Sequence, residues 1–293
     1  MCARRNAPTG GRLVTITEFA PAKVNLGLAV TGRLENGYHS LDTLFTTTDV
    51  GDTLTLEATD SGIQLEVIGL PLGDPRDNLV YKAAQSYLEF AGVSGGVRMR
   101  LEKRLPIAAG LGGGSSDAAA ALRGLARLYP VGATGRSPLH AMAQALGADV
   151  PFLLKGGAAR GGGVGDLLEP IALPQTHLVL ANPNVGITAK EAYAGLRGRY
   201  GAPLDLEGIL QALIEKRAPP YRNDLELPVL EVYPIVQSVK DTLEAAGLYG
   251  VLMSGSGSTC FGLARDATHA ASAAAQIARA QPTWWVAETV TTA

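Results

Sequence analysis

The 293-residue chain has little cysteine, almost no net charge and no long apolar run. Its two cysteines, Cys2 and Cys260, cannot build a disulfide framework, and their spacing suits no metal site. A reduced, cytoplasmic protein is expected. A net charge of −2 and a pI near 6.1 give no field that would gather nucleic acid or an anionic membrane, so a ligand has to be recognised locally. No stretch reaches the roughly 18 uninterrupted apolar residues of a membrane span. Residues 1–11 carry Arg4 and Arg5 with no apolar segment behind them, so they lack a secretory signal pattern and read as a loose extension. Internal repeats are also lacking. Hydrophobic content of 46% with 18% charge belongs to a folded chain, long enough for one large or two medium domains.

Glycine is plentiful. The chain has 36, clustered at 110–114, 156–165 and 255–262. That is about 12% against a usual ~7%. Clustered glycine marks backbone that must approach a ligand closely or take positive φ.

Alternating apolar and polar residues predict strands over 13–19, 23–31, 43–48, 52–58, 63–68 and 97–103, with a turn at Asn36-Gly37. Residues 78–91 read as a helix with Leu79, Ala83 and Tyr87 on one face, and 117–129 as a second that stops at Pro130. Residues 138–146 form a third, with Gly147 as its C-cap. Residues 156–165 read as a loop or a domain junction. Beyond them come a strand (178–181), helices (188–197, 205–216, 228–246), two strands (250–253, 259–263), a helix (266–280) and a last strand (284–290). This is the split βαβ, ferredoxin-like order with extra helices in the first crossover. The expected class is α+β in two domains, 1–160 with a mixed sheet and 161–293 ferredoxin-like.

The most specific chemical feature is PIAAGLGGGSS, residues 106–116, running into the helix expected from Asp117. A helix N-terminus offers unpaired N–H groups and a partial positive charge, and glycines let a phosphate approach them. Ser115 and Ser116 add hydroxyls for a phosphate oxygen or a magnesium-bound water. A Walker A loop requires lysine where Ser115 stands, and a Rossmann fingerprint requires a doubly wound pattern that is absent. A glycine-rich turn that only lets a helix pack closely remains the alternative.

PIAAGLGGGSSDAA, residues 106–119, resembles the second motif of the GHMP kinases, which include galactokinase, homoserine kinase and mevalonate kinase. PAKVNLGLAVT (21–31) with Gly37-Tyr38-His39 before this motif, and GADVPF (147–152) and LMSGSGSTCF (252–261) after it, complete the order of that family. The resemblance runs from about residue 16 to the end. Within the family it is similar to the branch whose acceptor is 4-diphosphocytidyl-2-C-methyl-D-erythritol. It implies the two-domain GHMP kinase fold, ATP and Mg²⁺ as cofactors, and a place in the non-mevalonate route to isoprenoid precursors.

By itself Asp149, ahead of Val150-Pro151, reads as a helix cap. Lys23, on an apolar strand, either snorkels to the surface or pairs with a buried acid. The resemblance implies that Asp149 is the base taking the acceptor hydroxyl proton, and that Lys23 is its electrostatic partner. It makes Pro106, Ile107, Ala108, Ala109, Gly110, Leu111, Gly112, Gly113, Gly114, Ser115 and Ser116 the ATP loop, with Asn78 and Lys103 near the adenosine. On their own these last two read as an N-cap and a solvated strand-end charge. Tyr38 and His39 are implied to hold the cytosine by stacking and hydrogen bonding, and Asn25 the erythritol end. The residues on the magnesium stay open. The 254–259 stretch, a hairpin turn by its glycines, is implied to brace the phosphate loop. Ala108 and Ala109 depart from glycines in some relatives, and the tail before Leu13 is longer than the resemblance needs. A member acting on homoserine or a mevalonate derivative would have no use for Tyr38 or His39. A silent nucleotide sensor would not need both Lys23 and Asp149.

Overall fold

The computed structural model describes residues 14–35, 37–70, 73–131 and 138–292. The 1–11 extension, Cys2, Leu13 and Asn36 therefore lie outside the described residues. The chain forms two compact units, and each of the first two strands contributes to both.

The first unit comprises the chain to Pro21, Gly51–Leu105 and Gly113–Lys155. Its elements are β1 (Thr15–Arg33), β2 (His39–Thr59), β3 (Ile63–Ile68), α1 (Leu79–Ala91), β4 (Gly96–Glu102), α2 (Gly113–Leu128), α3 (Pro138–Leu146) and α4 (Val150–Lys155). β4 pairs antiparallel with β2 and parallel with β3, so Leu54 faces Leu101 and Leu56 faces Met99 across the ladder. All four side chains are fully buried. Ala118, Ala121, Leu122 and Leu125 of α2 are buried, and α2 meets β2 at Gly124, where a Cβ would stand 2.5 Å from Leu56 Cδ1. Helix–sheet contact is that close only because glycine sits there.

Two expected breaks are absent. β1 runs through Pro21, and β2 continues where 49–51 was read as a gap. Gly51 allows both: a Cβ there would lie 2.2 Å from Ala20 O and 2.8 Å from Pro21 Cα. α2 begins at Gly113, four residues before the expected start at Asp117. Gly112, at φ 66°, is the last left-handed residue before the helix, so the helix begins as soon as the backbone permits.

The second unit comprises Ala22–Val50, Pro106–Gly112 and Gly156–Ala293. It adds β5 (Ala158–Gly162), β6 (Leu167–Pro170), β7 (His177–Asn182), α5 (Ala189–Ala194), α6 (Leu206–Ile214), α7 (Glu226–Val232), α8 (Ile235–Ala245), β8 (Tyr249–Met253), β9 (Cys260–Ala264), α9 (Ala267–Ala280) and β10 (Trp285–Thr292). The sheet order β10-β7-β9-β8 is antiparallel throughout and ferredoxin-like, as the element order predicts. Its buried face carries Val179, Ala181, Met253 and Cys260 against Val236, Val239, Leu243, Ala273 and Ile277 of α8 and α9. The segment read as a loop or junction at 156–165 is instead mostly the β5–β6 hairpin, turned by Gly163 and Gly165 at φ 63° and 98°. The single helix expected over 228–246 is two. Pro234 lacks an N–H and forces Tyr233 out of helical geometry, to φ −122° and ψ 74°.

Among the described residues, no helix is long and apolar enough to cross a membrane.

Candidate functional site

In the second unit, Lys23 is buried on β1 and does not reach out to solvent. Its Nζ donates to Asn25 Oδ1 at 2.6 Å and lies 5.7 Å from the centre of the Phe45 ring. Asn25 Nδ2 donates to Thr43 Oγ1 at 2.8 Å, and Thr43 Oγ1 to Gly27 O at 2.7 Å, so the amide that orients Lys23 is itself held.

The loop 106–112 is fixed to the same unit through its backbone. Lys23 N donates to Leu111 O (2.9 Å), Ile187 N to Ala108 O (2.9 Å) and Thr259 N to Ala109 O (3.2 Å). Ser254 Oγ donates to Gly110 O at 3.0 Å and accepts from Asn25 N at 3.2 Å. Thus the turn between β8 and β9 braces this loop and β1 together. Gly110, at φ 76°, would place a Cβ 2.1 Å from Ser254 O, so no other residue fits. Ala108 is held left-handed at φ 49°, a conformation that costs a non-glycine residue about 1–2 kcal/mol.

In the first unit, the helical end of the same motif is built around a buried charge cluster. Lys103 Nζ donates to Asp52 Oδ2 at 2.5 Å and to Asp117 Oδ2 at 2.8 Å. All three side chains are buried, so Lys103 is not the solvated strand-end charge its sequence context suggests. Asp52 Oδ1 also accepts from Arg104 N (2.6 Å) and Leu105 N (2.9 Å). Asp117 Oδ1 has no protein partner among the described residues, and neither has Ser116 Oγ beside it. Burial, opposed by Lys103, pushes the Asp117 carboxyl up to about 7. The neighbouring carboxylates keep the Lys103 ammonium above its ordinary value despite burial. A Cβ at Gly113 would lie 3.4 Å from Lys103 Nζ, which places the ammonium against the first residue of α2.

Asn78 is the N-cap of α1, its Oδ1 accepting from Val80 N at 2.9 Å. Asp149 immediately precedes α4, and its carbonyl accepts from Leu153 N at 3.1 Å as an N-cap residue's does. Its turn abuts the start of α2, since a Cβ at Gly147 would be 3.9 Å from Ser115 Oγ.

Tyr38, 66% exposed, and His39 follow a turn in which Gly37 takes φ 84°. His39 stacks on Tyr193 with centroids 5.0 Å apart and planes at 17°, and Tyr200 meets it at 6.2 Å and 58°. Burial, and then the nearby Arg33 charge, lower the His39 pKa, which favours a neutral imidazole that can both donate and accept.

The structure therefore brings Lys23, Asn25 and residues 108–111 together in one unit. It places Asn78, Lys103, Gly113 to Ser116 and Asp149 in the other. Sequence reasoning missed Asp52, Thr43, Tyr193 and Tyr200, none of which carries a signal in its own surroundings, whereas Ser254 lies in the 254–259 stretch already singled out.

The family model described as "GHMP kinases N terminal domain" matches residues 78–157, and "GHMP kinases C terminal" matches 205–283. A 4-diphosphocytidyl-2-C-methyl-D-erythritol kinase of Deinococcus radiodurans is 49% identical over 92% of this chain and 90% of its own. One from Thermus thermophilus is 48% identical over 87% and 90%. A crystal structure of 4-(cytidine 5'-diphospho)-2C-methyl-D-erythritol kinase superposes with a TM-score of 0.86 at 46% identity, covering 95% of this chain and 100% of that one. Homoserine kinase from Cytophaga hutchinsonii shares the fold alone, with a TM-score of 0.69 at 21% identity over 95% and 94%. The chain belongs to the GHMP kinases, within the family of the 4-diphosphocytidyl-2-C-methyl-D-erythritol kinases, and is a small-molecule kinase of the two-domain α+β fold.

Proposed function

We propose that this kinase transfers the γ-phosphoryl group of ATP to the 2-hydroxyl of 4-diphosphocytidyl-2-C-methyl-D-erythritol, a step in the non-mevalonate route to isoprenoid precursors. The observation that carries the substrate is near-half identity, across nearly the whole length, to enzymes named for that acceptor. The aromatic group of His39, Tyr193 and Tyr200 supports it, because such a group suits a pyrimidine base, whereas homoserine and mevalonate present none.

Donor binding falls to the start of α2. Its first N–H groups have no partner within the helix, and glycines leave them accessible to phosphate oxygens. The Ser116 hydroxyl, without a partner among the described residues, fits a phosphate oxygen or a metal-bound water there. Mg²⁺ brought with ATP would supply charge neutralisation at the phosphates, and Ser116 is the residue here whose hydroxyl could meet it through a bound water. Asn78 commits its Oδ1 to capping α1, which leaves Nδ2 to donate to the adenosine. Lys103, fixed between two carboxylates, holds the beginning of the helix on that side.

Asp149 takes the proton of the acceptor hydroxyl as it attacks. Lys23, oriented by Asn25, compensates charge on the attacking oxygen and the transferred group. Phosphoryl transfer asks for alignment and charge compensation, and it needs no covalent enzyme intermediate.

The test is turnover of the cytidine acceptor with ATP and Mg²⁺, run beside homoserine and mevalonate. Product from the cytidine acceptor alone is expected. Turnover of another alcohol in its place would overturn the substrate and leave the kinase.

A further inference from the structure

We propose that Asp42 is a positioning residue for recognition of the acceptor's base, because it fixes the segment that brings Tyr200 against His39. The proposal deepens the function given above and rests on it.

Asp42 lies on β2, three residues after His39, and its carboxylate is buried. Arg160 of β5 grips it in a fork, Nε to Oδ1 at 2.6 Å and Nη2 to Oδ2 at 2.8 Å. Oδ2 also accepts from Leu204 N at 2.6 Å. Burial opposes the charge, but Arg160 and the Leu204 N–H together hold the carboxyl below its ordinary value. Such charge-assisted bonds are strong and directional.

Leu204 lies near the end of a short irregular segment, residues 199–205, that carries Tyr200 near its start. Gly201 N donates to Val30 O at 2.8 Å, which ties the head of the segment to β1. Arg222 donates to Ala202 O and pairs with Asp224 at 2.8 Å, and the other Asp224 oxygen accepts from Val30 N at 2.8 Å. The Leu204 side chain lies flush on β1, where a Cβ at Gly27 would stand 2.9 Å from its Cδ1. The segment is irregular backbone, so these bonds, and not a helix or ladder, determine its course. Tyr200 presents from it the ring that meets His39 at 6.2 Å and 58°.

The Asp42 carboxylate is committed to Arg160 and to the Leu204 N–H. It acts on the aromatic group only by holding the far end of the segment that delivers Tyr200. Two charged side chains and a main-chain amide spent on an irregular surface segment make sense where the segment must hold a ring in place. A purely structural Asp42–Arg160 pair, stitching β2 to β5, would act on stability and on every kinetic constant alike.

Steady-state kinetics separate the two, with ATP and the cytidine acceptor varied in turn for wild type, Asp42→Ala, Asp42→Asn, Tyr200→Leu and the Asp42→Ala/Tyr200→Leu double variant. In Asp42→Ala the acceptor KM is expected to rise about tenfold, while kcat and the ATP KM stay within about twofold. Asp42→Asn keeps an acceptor for Leu204 N and should fall between. Because Asp42 works through Tyr200, the double variant should be no worse than Tyr200→Leu by more than about twofold. Additive losses, or kcat and both KM values moving together, would overturn the proposal. If Asp42→Ala does not fold, Asp42→Asn and the half-exposed Tyr200→Leu decide. An unchanged acceptor KM in Tyr200→Leu overturns it. A wild-type enzyme that ignores the cytidine acceptor removes the parent reading as well, which distinguishes the two failures.

Discussion

Replacing Asp117 by asparagine should stabilise the protein at alkaline pH and leave it nearly unchanged at acid pH. One ammonium, Lys103 Nζ, stands between two buried carboxylates. With both ionised, the cluster carries an uncompensated negative charge in a low-dielectric interior, which is expensive. Asp52 has donors on both oxygens, whereas Asp117 Oδ1 has none among the described residues, so Asp117 is the group that takes up a proton. Its carboxyl sits at about 7 in the folded protein against 3.8 unfolded. Between those values the folded state binds more protons than the unfolded one. Stability from this group is therefore fully present below about 4 and is lost as pH rises through about 7. At about 1.4 kcal/mol per pH unit the interval corresponds to at most about 4 kcal/mol, with about 2–4 kcal/mol the expected range. Asparagine is isosteric, keeps an oxygen for Lys103 and does not titrate. Melting temperatures of wild type and Asp117→Asn, measured from below about pH 4 to about pH 8, should coincide only at the acid end, and by about pH 5 the variant should already lead by about 1–2 kcal/mol. At the alkaline end the variant should gain several degrees, at about 2–4 °C per kcal/mol. A constant difference across the range, or a less stable variant at the alkaline end, would refute the reasoning.

Gly110→Ala forces a Cβ against Ser254 O at a left-handed backbone position, and should raise the ATP KM and lower stability by about 1–3 kcal/mol, read by kinetics and urea unfolding. Ala108→Gly releases left-handed strain two residues earlier and should be stabilising or neutral, within about 1 kcal/mol, with activity retained. Gly124→Ala gains about 1 kcal/mol of helix propensity but pushes a Cβ into Leu56, so urea unfolding should show a net loss of about 1–2 kcal/mol.

The elements were legible where local pattern and tertiary demand agree. α1, α9 and the four strands of the ferredoxin-like sheet follow from periodicity and caps, and Asn78 and Asp266 cap as their residue types predict. The continuity of β1 and β2 was not legible, because it depends on Gly51 lying against Ala20 and Pro21 far away in sequence. The early start of α2 was hidden because glycine and serine are poor helix formers away from a first turn. The break at Pro234 is readable from proline chemistry, since the ring removes an N–H from what would be the interior of a 228–246 helix. At the site, the glycine–serine motif announced itself. The charge cluster did not: Asp52 stands 51 positions from Lys103, and nothing in its own sequence surroundings sets it apart. Tyr193 and Tyr200 were silent for the same reason, since stacking on His39 leaves no mark along the chain.

The most direct test of the account is phosphoryl transfer from ATP to 4-diphosphocytidyl-2-C-methyl-D-erythritol by wild type and Asp149→Asn side by side, with ATP affinity measured for both. The account predicts product from wild type and a loss of about 10²–10⁴-fold in kcat for the variant, with ATP binding unchanged. A variant that turns over at more than about a tenth of the wild-type rate would contradict Asp149 as the base.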